Sequence, residues 1–483
     1  MTIDDGTSGT QHTPAASESA LWGPQRRNFT LGLILVITLA AFEAMGIGTA
    51  LPTIVREWHA EQWYSWPFTI FMAASAIGTV VAGRFSDRIG PAVPLLVAMP
   101  TFAAGLVLAG IAPDMSVLLV ARALQGSGAG AQIVALYVLI ARVYPERDRP
   151  AAFGALSASW VVPALVGPVV AGALTEHVGW RWVFLGLAPL MLVGAALLVP
   201  TVRRLGSAGE AAAPGSARLP LAAVGAAAGT VGLNWAAQRI SGAENSGGIP
   251  LPVLAVGLAA ALVLVPSLRV LLPRGTGTGR PGIPVMVLAR GLLAGVFFSA
   301  QAFVPLILSV VHGYSPTAAG IPLTVGSLGW TVGALWQSRR PDVRREHVVA
   351  TGLGLVAVAV VGLVLIAPAW GPAWAVFLLW SVGGVGMGIG VASTSVRVLA
   401  LSAADRRGFH SSALQISDML GQALLVGLGG VLVAALATPD TPTAGVVALN
   451  LALGCIALLG AVRVFRSADT GTTAGASDSA EQR

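Results

Sequence analysis

The sequence predicts an all-α membrane protein with fourteen transmembrane helices. Of its 483 residues, 55% are hydrophobic and only 10% are charged, and the mean hydropathy is +0.79. Long apolar runs recur from residue 30 to residue 465. A run of roughly 20 apolar residues can cross a hydrocarbon core about 30 Å thick as a helix. A water-soluble domain would not need so much apolar surface.

The apolar runs that meet this length rule define the expected helices in order. They are 30–54, 64–83, 92–112, 115–143, 152–175, 181–201, 219–238, 251–272, 284–311, 316–337, 347–369, 372–400, 408–437 and 443–465. The longest polar interruption separates six helices from a linker pair and a second set of six. The predicted organisation is a disordered cytoplasmic tail at 1–28, a six-helix bundle at 29–201, a cytoplasmic loop at 202–218, two linker helices at 219–272, a second six-helix bundle at 283–466 and a disordered cytoplasmic tail at 467–483.

The basic residues indicate how the helices are oriented. All 28 are arginines, and placing the N-terminus in the cytoplasm puts 23 of them on the cytoplasmic side. Only Arg56, Arg181 and Arg239 then lie outside, while Arg122 and Arg290 fall within helices. This asymmetry follows the positive-inside rule, so we expect a protein of the bacterial cytoplasmic membrane with both termini in the cytoplasm. The net charge of +7 is spread over many loops, which does not favour nucleic-acid binding.

Missing residue types exclude several classes of function. Without lysine, the chain has neither the Walker A lysine of P-loop ATPases nor a Schiff-base lysine. The single cysteine, Cys455, allows no intrachain disulfide and lies in the last apolar run, where we expect it to be buried in packing. The six histidines form no ligand pair, so we expect no metal, no cofactor and no enzyme activity. Uphill transport would then draw on the proton gradient.

One carboxylate, Glu43, stands inside the first apolar run, where a charge costs a few kcal/mol even on mild insertion scales. At about 1.5 Å per residue it lies roughly 18 Å from the cytoplasmic end of its helix. Arg122 lies at a similar depth, roughly 10 Å below the outer surface. A nearby guanidinium would favour ionised Glu43 and apolar surroundings would favour the protonated form, so a change in their separation would couple proton binding to movement. A static ion pair is the alternative.

Asp418 is the other acid within a predicted helix. It lies roughly 14 Å deep in the polar run SSALQISD. It could be a second proton site, a counter-charge for a cationic substrate or a hydrogen-bonded structural acid, and Gln415, one turn away, is its expected companion. The candidate proton-coupling residues are therefore Glu43, Arg122 and Asp418.

The two predicted bundles contain an internal repeat. When the two segments are aligned so that Gly126 matches Gly384, two further glycines of each segment also match. Arg122 then matches Trp380. Repeated halves with functional groups near the midplane are typical of alternating-access carriers. Close helix packing explains any one of these glycines equally well.

The segment GRFSDRIG, from Gly83 to Gly90, joins the second and third apolar runs. Its glycines permit a tight turn, and Asp87 and Arg88 can form ion pairs that hold a cytoplasmic gate shut. A charged loop that only obeys the positive-inside rule is the alternative. An echo of this segment in the second half, beginning at Gly333, lacks the acid.

Two of these segments resemble motifs of the major facilitator superfamily. GRFSDRIG is similar to the signature loop of that superfamily. LLVARALQGSGAGA is similar to its helix 4 motif, with Arg122, Gln125 and Gly126 in place. The chain departs from the usual signature at Pro91 and Ala92, where basic residues commonly follow the second glycine.

Two further segments resemble the fourteen-helix drug/proton antiporter branch of this superfamily. PALVGPVVAGAL is similar to the antiporter motif through Gly167, Pro168 and Gly172. The proline would bend its helix and the glycines would allow a close neighbour, although plain packing is an equal alternative. EAMGIGTALP and GWRWVF also resemble this branch, which more often has aspartate in place of Glu43.

Together the residues and the resemblance predict a proton-coupled secondary transporter that exports small amphipathic or cationic compounds by alternating access, as in multidrug efflux. A dedicated exporter or carrier of one metabolite, such as an antibiotic or siderophore, and a membrane sensor that transports nothing are the alternatives. The expected partners are the lipid bilayer, a small-molecule substrate and protons, and we expect a monomer. The candidate substrate contacts, each equally explained as packing, are Gln125, Asn234, Trp235, Gln301, Trp330, Trp380 and Gln415.

Overall fold

The computed structural model describes residues 21–23, 26–205, 218–243, 250–340, 342–403, 406–436 and 441–481. Within these ranges, 14 helices are long and apolar enough to cross a membrane, which confirms the predicted all-α membrane fold. The expected tail at 1–28 and the loop at 202–218 fall largely outside the described residues.

The helices follow the predicted order. They are α1 (Arg27–Glu57), α2 (Trp66–Ile89), α3 (Ala92–Gly110), α4 (Met115–Val143), α5 in two segments (Arg149–Ala158 and Val161–His177), α6 in two segments (Trp182–Leu185 and Leu187–Leu205), α7 (Arg218–Ala243), α8 (Leu251–Leu271), α9 (Ile283–Val310), α10 (Pro316–Ser338), α11 (Arg345–Gly362), α12 (Ala375–Leu401), α13 (Arg407–Leu436) and α14 (Thr443–Glu481). Helix α14 continues to Glu481 and so extends into the stretch at 467–483 that was expected to be a disordered tail. This stretch contains no proline that would end the helix.

The packing of the helices repeats between the two sets of six. In the first half, α2 and α3 pack along α4, and α1 packs on α5 and α6. In the second half, α10 and α11 pack along α12, and α9 packs on α13 and α14. Helix α4 thus corresponds to α12, and α1 corresponds to α9.

Glycines bring the paired helices into backbone contact at corresponding places. Gly78 of α2 lies against the backbone of Ser127 in α4, and Gly333 of α10 lies against the backbone of Val385 in α12. A side chain at either glycine would overlap a backbone carbonyl of the neighbouring helix. The two helix pairs therefore pack in the same register, as small residues allow in membranes.

This register corrects the proposed second-half echo of the GRFSDRIG segment. Gly333 corresponds to Gly78 and not to Gly83, because those two glycines make the equivalent backbone contacts. Counting on along both segments places Asp342 at the position of Asp87. The second half therefore has an acid there, and Asp342 lies exposed beyond the end of α10.

The linker helix α7 lies between the two halves and contacts both α2 and α13. Asn234 Nδ2 donates to the carbonyl of Ala423 in α13, at 3.2 Å. One turn later, Gln238 Oε1 accepts from Trp66 Nε1 in α2 at 2.6 Å, and Gln238 Nε2 donates to Ser65 Oγ at 3.5 Å. One turn of α7 therefore binds the second half and the next turn binds the first half. Helix α8 packs against α7.

Cys455 is exposed, so the expectation that it would be buried is wrong. Helix α14 packs on α9, α11 and α13 with one face, and its opposite face carries exposed apolar residues such as Leu451, Leu458 and Leu459. Cys455 lies on the surface of α14 that a bilayer would cover.

Replacing Gly126 with alanine should destabilise the protein. Gly126 lies against the backbone of Phe71, so an added methyl group would force α2 and α4 apart, at a cost of about 1–3 kcal/mol. Gly48 is the matched control, because it is a buried helical glycine with nothing within 4 Å of an added Cβ. Thermal unfolding in detergent should show a loss for Gly126→Ala and no loss for Gly48→Ala. Equal stability of the two variants would contradict the packing argument.

Candidate functional site

Glu43 and Arg122 form an ion pair in the interior of the first half. Arg122 Nη1 donates to Glu43 Oε1, and the exposed fractions of the two side chains are 1% and 0%. The same nitrogen donates to Gln125 Oε1 at 2.6 Å. Gln125 Nε2 in turn donates to the carbonyl of Gly105 in α3, at 3.3 Å. The structure therefore brings together the acid and the base that the sequence placed at similar depths.

Helix α2 supplies the remaining partners of Arg122. Arg122 Nε donates to the carbonyl of Pro67 at 3.2 Å. The guanidinium carbon lies 4.3 Å from the centroid of the Phe71 ring, a distance suited to a cation–π interaction. Arg122 thus contacts α1, α2 and its own helix at once.

Local sequence explains why these helices enclose the pair. Asp114 caps α4, its Oδ1 accepting from the backbone N–H of Val117 at 3.0 Å. Along α4, Gly126 and Gly130 meet the backbone of α2, while Gly128 meets α3. With no side chains on these three positions, the helices approach closely enough to exclude solvent from Arg122.

One oxygen of the ion pair has no donor. Glu43 Oε2 is buried, and no hydrogen-bond donor reaches it within the described ranges. A buried polar atom without a partner costs about 1–3 kcal/mol, and an ion pair removed from water is itself expensive. A proton on Oε2 would not have to displace an existing hydrogen bond.

Asp418 belongs to a second ion pair, with Arg290 of α9. Arg290 Nη2 lies 2.9 Å from Asp418 Oδ2, and Arg290 Nη1 donates to the carbonyl of Val391 and to Ser395 Oγ, both at 3.2 Å. The exposed fractions of Arg290 and Asp418 are 16% and 22%, so this pair is less enclosed than the first. It joins α9, α12 and α13 within the second half.

The expected companion of Asp418 was wrong, and its ionic partner was missed. Gln422 Nε2, one turn after Asp418 instead of one turn before it, donates to Asp418 Oδ1 at 3.2 Å, in place of Gln415. Arg290 was recognised as a charge inside a helix but was not paired with Asp418. The sequence did offer a signal for this pair, because Arg290 and Asp418 are opposite charges within predicted helices of the same half.

The predicted gate segment is mostly helical. Helix α2 continues to Ile89, and the turn comes only at Gly90, whose φ of 86° suits glycine. Asp87 and Arg88 are exposed in the last turn of α2, and Gly83 lies within the helix near Val134. Of the two glycines expected to permit a tight turn, Gly90 makes it and Gly83 does not, because the apolar run and the following residues continue one helix.

The segment with Gly167, Pro168 and Gly172 lies where the two halves meet. Gly172 of α5 lies against the backbone of Pro316 and Thr317 at the start of α10, and Gly320 lies against the backbone of Pro168. Gly167 instead faces α1, near Met45. We call this contact between α5 and α10 the α5–α10 seam.

Polar contacts reinforce the seam. Thr324 Oγ1 donates to the carbonyl of Leu165 at 2.8 Å, and Thr317 Oγ1 donates to Glu176 Oε2 at 2.6 Å. The C-terminal end of α5 and the N-terminal end of α10 meet here, on the side of the bundle opposite the start of α1.

The aromatic candidates gather in the second half. Trp380 is fully buried and stacks on Phe297, with ring centroids 4.7 Å apart, and Trp330 and Phe298 complete the cluster. Trp380 Nε1 has no acceptor within the described part of the chain. Gln301 of α9 is half-buried. Trp380 takes the place that Arg122 has in the first half, so the second half has an aromatic stack where the first has an ion pair.

The other proposed substrate contacts have different surroundings. Gln125 supports Arg122, and Asn234 binds α13 through its amide. Trp235 lies beside Arg239 of its own helix, 5.6 Å from the guanidinium carbon. Gln415 is half-buried on α13.

Comparison with known proteins gives the family. A model of the Major Facilitator Superfamily matches residues 33–425. The chain belongs to that superfamily. This confirms the resemblance of the sequence motifs.

Individual members of the superfamily resemble the chain over most of its length. An uncharacterized MFS-type transporter of Mycobacterium tuberculosis is 31% identical over 427 residues, which cover 85% of this chain and 59% of that relative. The chain thus spans about three fifths of that relative's length. A probable multidrug-efflux transporter of the same species is 26% identical over 447 residues, 87% of this chain and 91% of the relative. A solved POT family transporter, in complex with a thioalcohol conjugated peptide, shares the fold, with a TM-score of 0.66 and 14% identity over 92% of this chain and 96% of that one.

Double-mutant cycles should give a larger coupling free energy for Glu43 with Arg122 than for Asp418 with Arg290. We expect about 3 kcal/mol for the enclosed pair and about 1 kcal/mol for the more exposed pair, because solvent screens the second. The variants are Glu43→Gln, Arg122→Gln, Asp418→Asn and Arg290→Gln, alone and in pairs. Unfolding free energies in mixed micelles supply the measurement, and equal coupling energies would show that burial does not set the strength of the pairs.

Proposed function

We propose that this protein is a proton-coupled transporter of the cytoplasmic membrane that exports small amphipathic or cationic compounds by alternating access. The observation that carries the proposal is the enclosed Glu43–Arg122 pair, in which Glu43 Oε2 is free to accept a proton. A charge pair inside a membrane helix bundle is expensive and is usually retained for function. The similarity to a probable multidrug-efflux transporter supports the substrate class.

The positive-inside rule supports the orientation. It places the start of α1 in the cytoplasm, so the α5–α10 seam lies toward the outside. The described conformation would then be closed at this seam on the external side. A proton from the outside would bind in the opposite state and favour return to this one, which is the direction that inward proton flow requires.

Contacts between helices link the ion pair to the seam. Gly46, one turn after Glu43 in α1, packs against Ala171 of α5. The next residue, Gly172, touches the backbone of Thr317 in α10. When a proton neutralises Glu43, the attraction that holds α1 to Arg122 weakens, and a shift of α1 would move α5 against α10. Binding of a proton would in this way change the contact between the two halves.

Glu43→Gln should abolish proton-driven efflux, because glutamine cannot exchange a proton. Purified protein in proteoliposomes would be given an imposed pH gradient and a panel of fluorescent amphipathic cations. Exchange of substrate across the membrane without a gradient should persist, because the glutamine variant resembles the proton-loaded state. Glu61→Gln, an exposed acid just after α1, is the matched control and should transport normally.

Other outcomes separate the alternatives. Proton-driven efflux by Glu43→Gln at the wild-type rate would refute the coupling role of Glu43. Transport of a single compound of the panel would favour a dedicated exporter. Absence of transport for every compound of the panel would favour a sensor.

Cross-linking the α5–α10 seam should stop transport. Glu176→Cys and Thr317→Cys in a Cys455→Ser background would place two thiols where the native side chains meet at 2.6 Å. A short bifunctional thiol reagent with a cleavable disulfide should block efflux, and reduction should restore it. Each single-cysteine variant is the control, and undiminished efflux by the cross-linked protein would show that this seam does not open.

A further inference from the structure

The Phe71 ring is the one aromatic group over the Arg122 guanidinium in the described part of the chain. We propose that Phe71 is a positioning residue that sets the pH at which Glu43 takes up its proton. The inference rests on the proposed function of the Glu43–Arg122 pair and adds a residue that the sequence motifs do not include. Phe71 itself is buried.

The partners of Arg122 respond differently to a proton on Glu43. Only the Glu43 carboxylate loses its charge. The carbonyl of Pro67, the amide oxygen of Gln125 and the face of Phe71 remain in contact with the guanidinium. These three groups must therefore hold the cation when its counter-charge is gone.

The ring favours the proton-loaded state over the ionised state. The negative face of an aromatic ring attracts a cation, and the interaction is strongest where water is excluded. While Glu43 is ionised, the ring attracts the guanidinium but opposes the nearby carboxylate, so the net effect on the neutral pair is small. Once Glu43 is protonated, the ring acts on an isolated cation and stabilises it fully. Removing the ring should therefore make protonation of Glu43 harder.

The position of the ring is fixed by the backbone. Gly126 of α4, one turn after Arg122, lies against the backbone of Phe71, so the two helices touch at the level of the ring. In the second half the same register places Gly326 at the position of Phe71 and Trp380 at that of Arg122. The ring thus occurs where α4 has Arg122, and a glycine replaces it where α12 has Trp380.

No other charge competes for this role among the described residues. Among the described residues, Glu43 and Arg122 form an ion pair with each other and with no other charged side chain. Helix α2 presents the Pro67 carbonyl and the Phe71 ring, and α3 presents the Gly105 carbonyl by way of Gln125. Helices α5 and α6 present the apolar side chains of Ala171 and Val183 beside Gly46.

Fluorinated phenylalanines at position 71 test the proposal with little change in shape. Each added fluorine weakens the negative face of the ring, so the pH of half-maximal efflux should move stepwise toward acid. Phe71→Leu should give the largest shift, about half to one pH unit. The same substitutions at Phe68, on α2 but packed near Tyr64, should leave the midpoint unchanged.

Infrared titration of the Glu43 carboxyl band, identified by its loss in Glu43→Gln, gives a readout that does not depend on transport. Its midpoint should follow the same series. An unchanged midpoint across the fluorinated series, or an equal shift from Phe68→Leu, would overturn the role of Phe71 while leaving proton coupling intact. Efflux that does not depend on pH in the wild type would instead refute the proposed function.

Discussion

The enclosed Glu43–Arg122 pair is the constraint to which the first half of the molecule is fitted. Removing two opposite charges from water is costly even when they touch, and hydrogen bonds to their remaining polar atoms offset part of that cost. Arg122 has such partners in Glu43 of α1, the Pro67 carbonyl of α2 and Gln125 of its own helix. Helices α2 and α3 can approach α4 closely because α4 has glycines where they cross it. The glycines of the helix 4 motif thus allow the close helix packing that encloses its arginine.

The second half keeps the packing and changes the chemistry. Helices α10 and α12 use the same glycine-to-backbone contacts as α2 and α4, yet Trp380 stacks on Phe297 where Arg122 meets Glu43. Its own ion pair, Asp418 with Arg290, lies on other helices and is more exposed. A shared backbone architecture therefore carries an enclosed charge pair in one half and an aromatic stack in the other.

The sequence predicted the fold well because the length of each apolar run can be read directly from it. An apolar run of sufficient length identifies a membrane-spanning helix. It also placed Glu43 and Arg122 at one depth, since depth follows from position along a helix. It could not pair Asp418 with Arg290 or choose Gln422 over Gln415, because these depend on which face of α13 turns toward α9. The same missing information explains why Cys455 was expected to be buried, and the end of α2 was misplaced because polar residues continued the helix beyond its apolar run.

The position of α7 has a consequence for compounds that dissolve in the bilayer. Besides the contacts of α1 with α9 and α10, the two halves of the molecule meet between α2 and α13 and at the α5–α10 seam. Helix α7 covers the first of these two borders and is bonded to both of its sides, through Asn234 and Gln238. Within the described residues, the border between α5 and α10 is the one of these two that no linker helix covers, so lateral entry from the lipid would be expected there. The glycines and threonines that hold the α5–α10 seam closed would then also control whether a lipophilic molecule can enter from the bilayer.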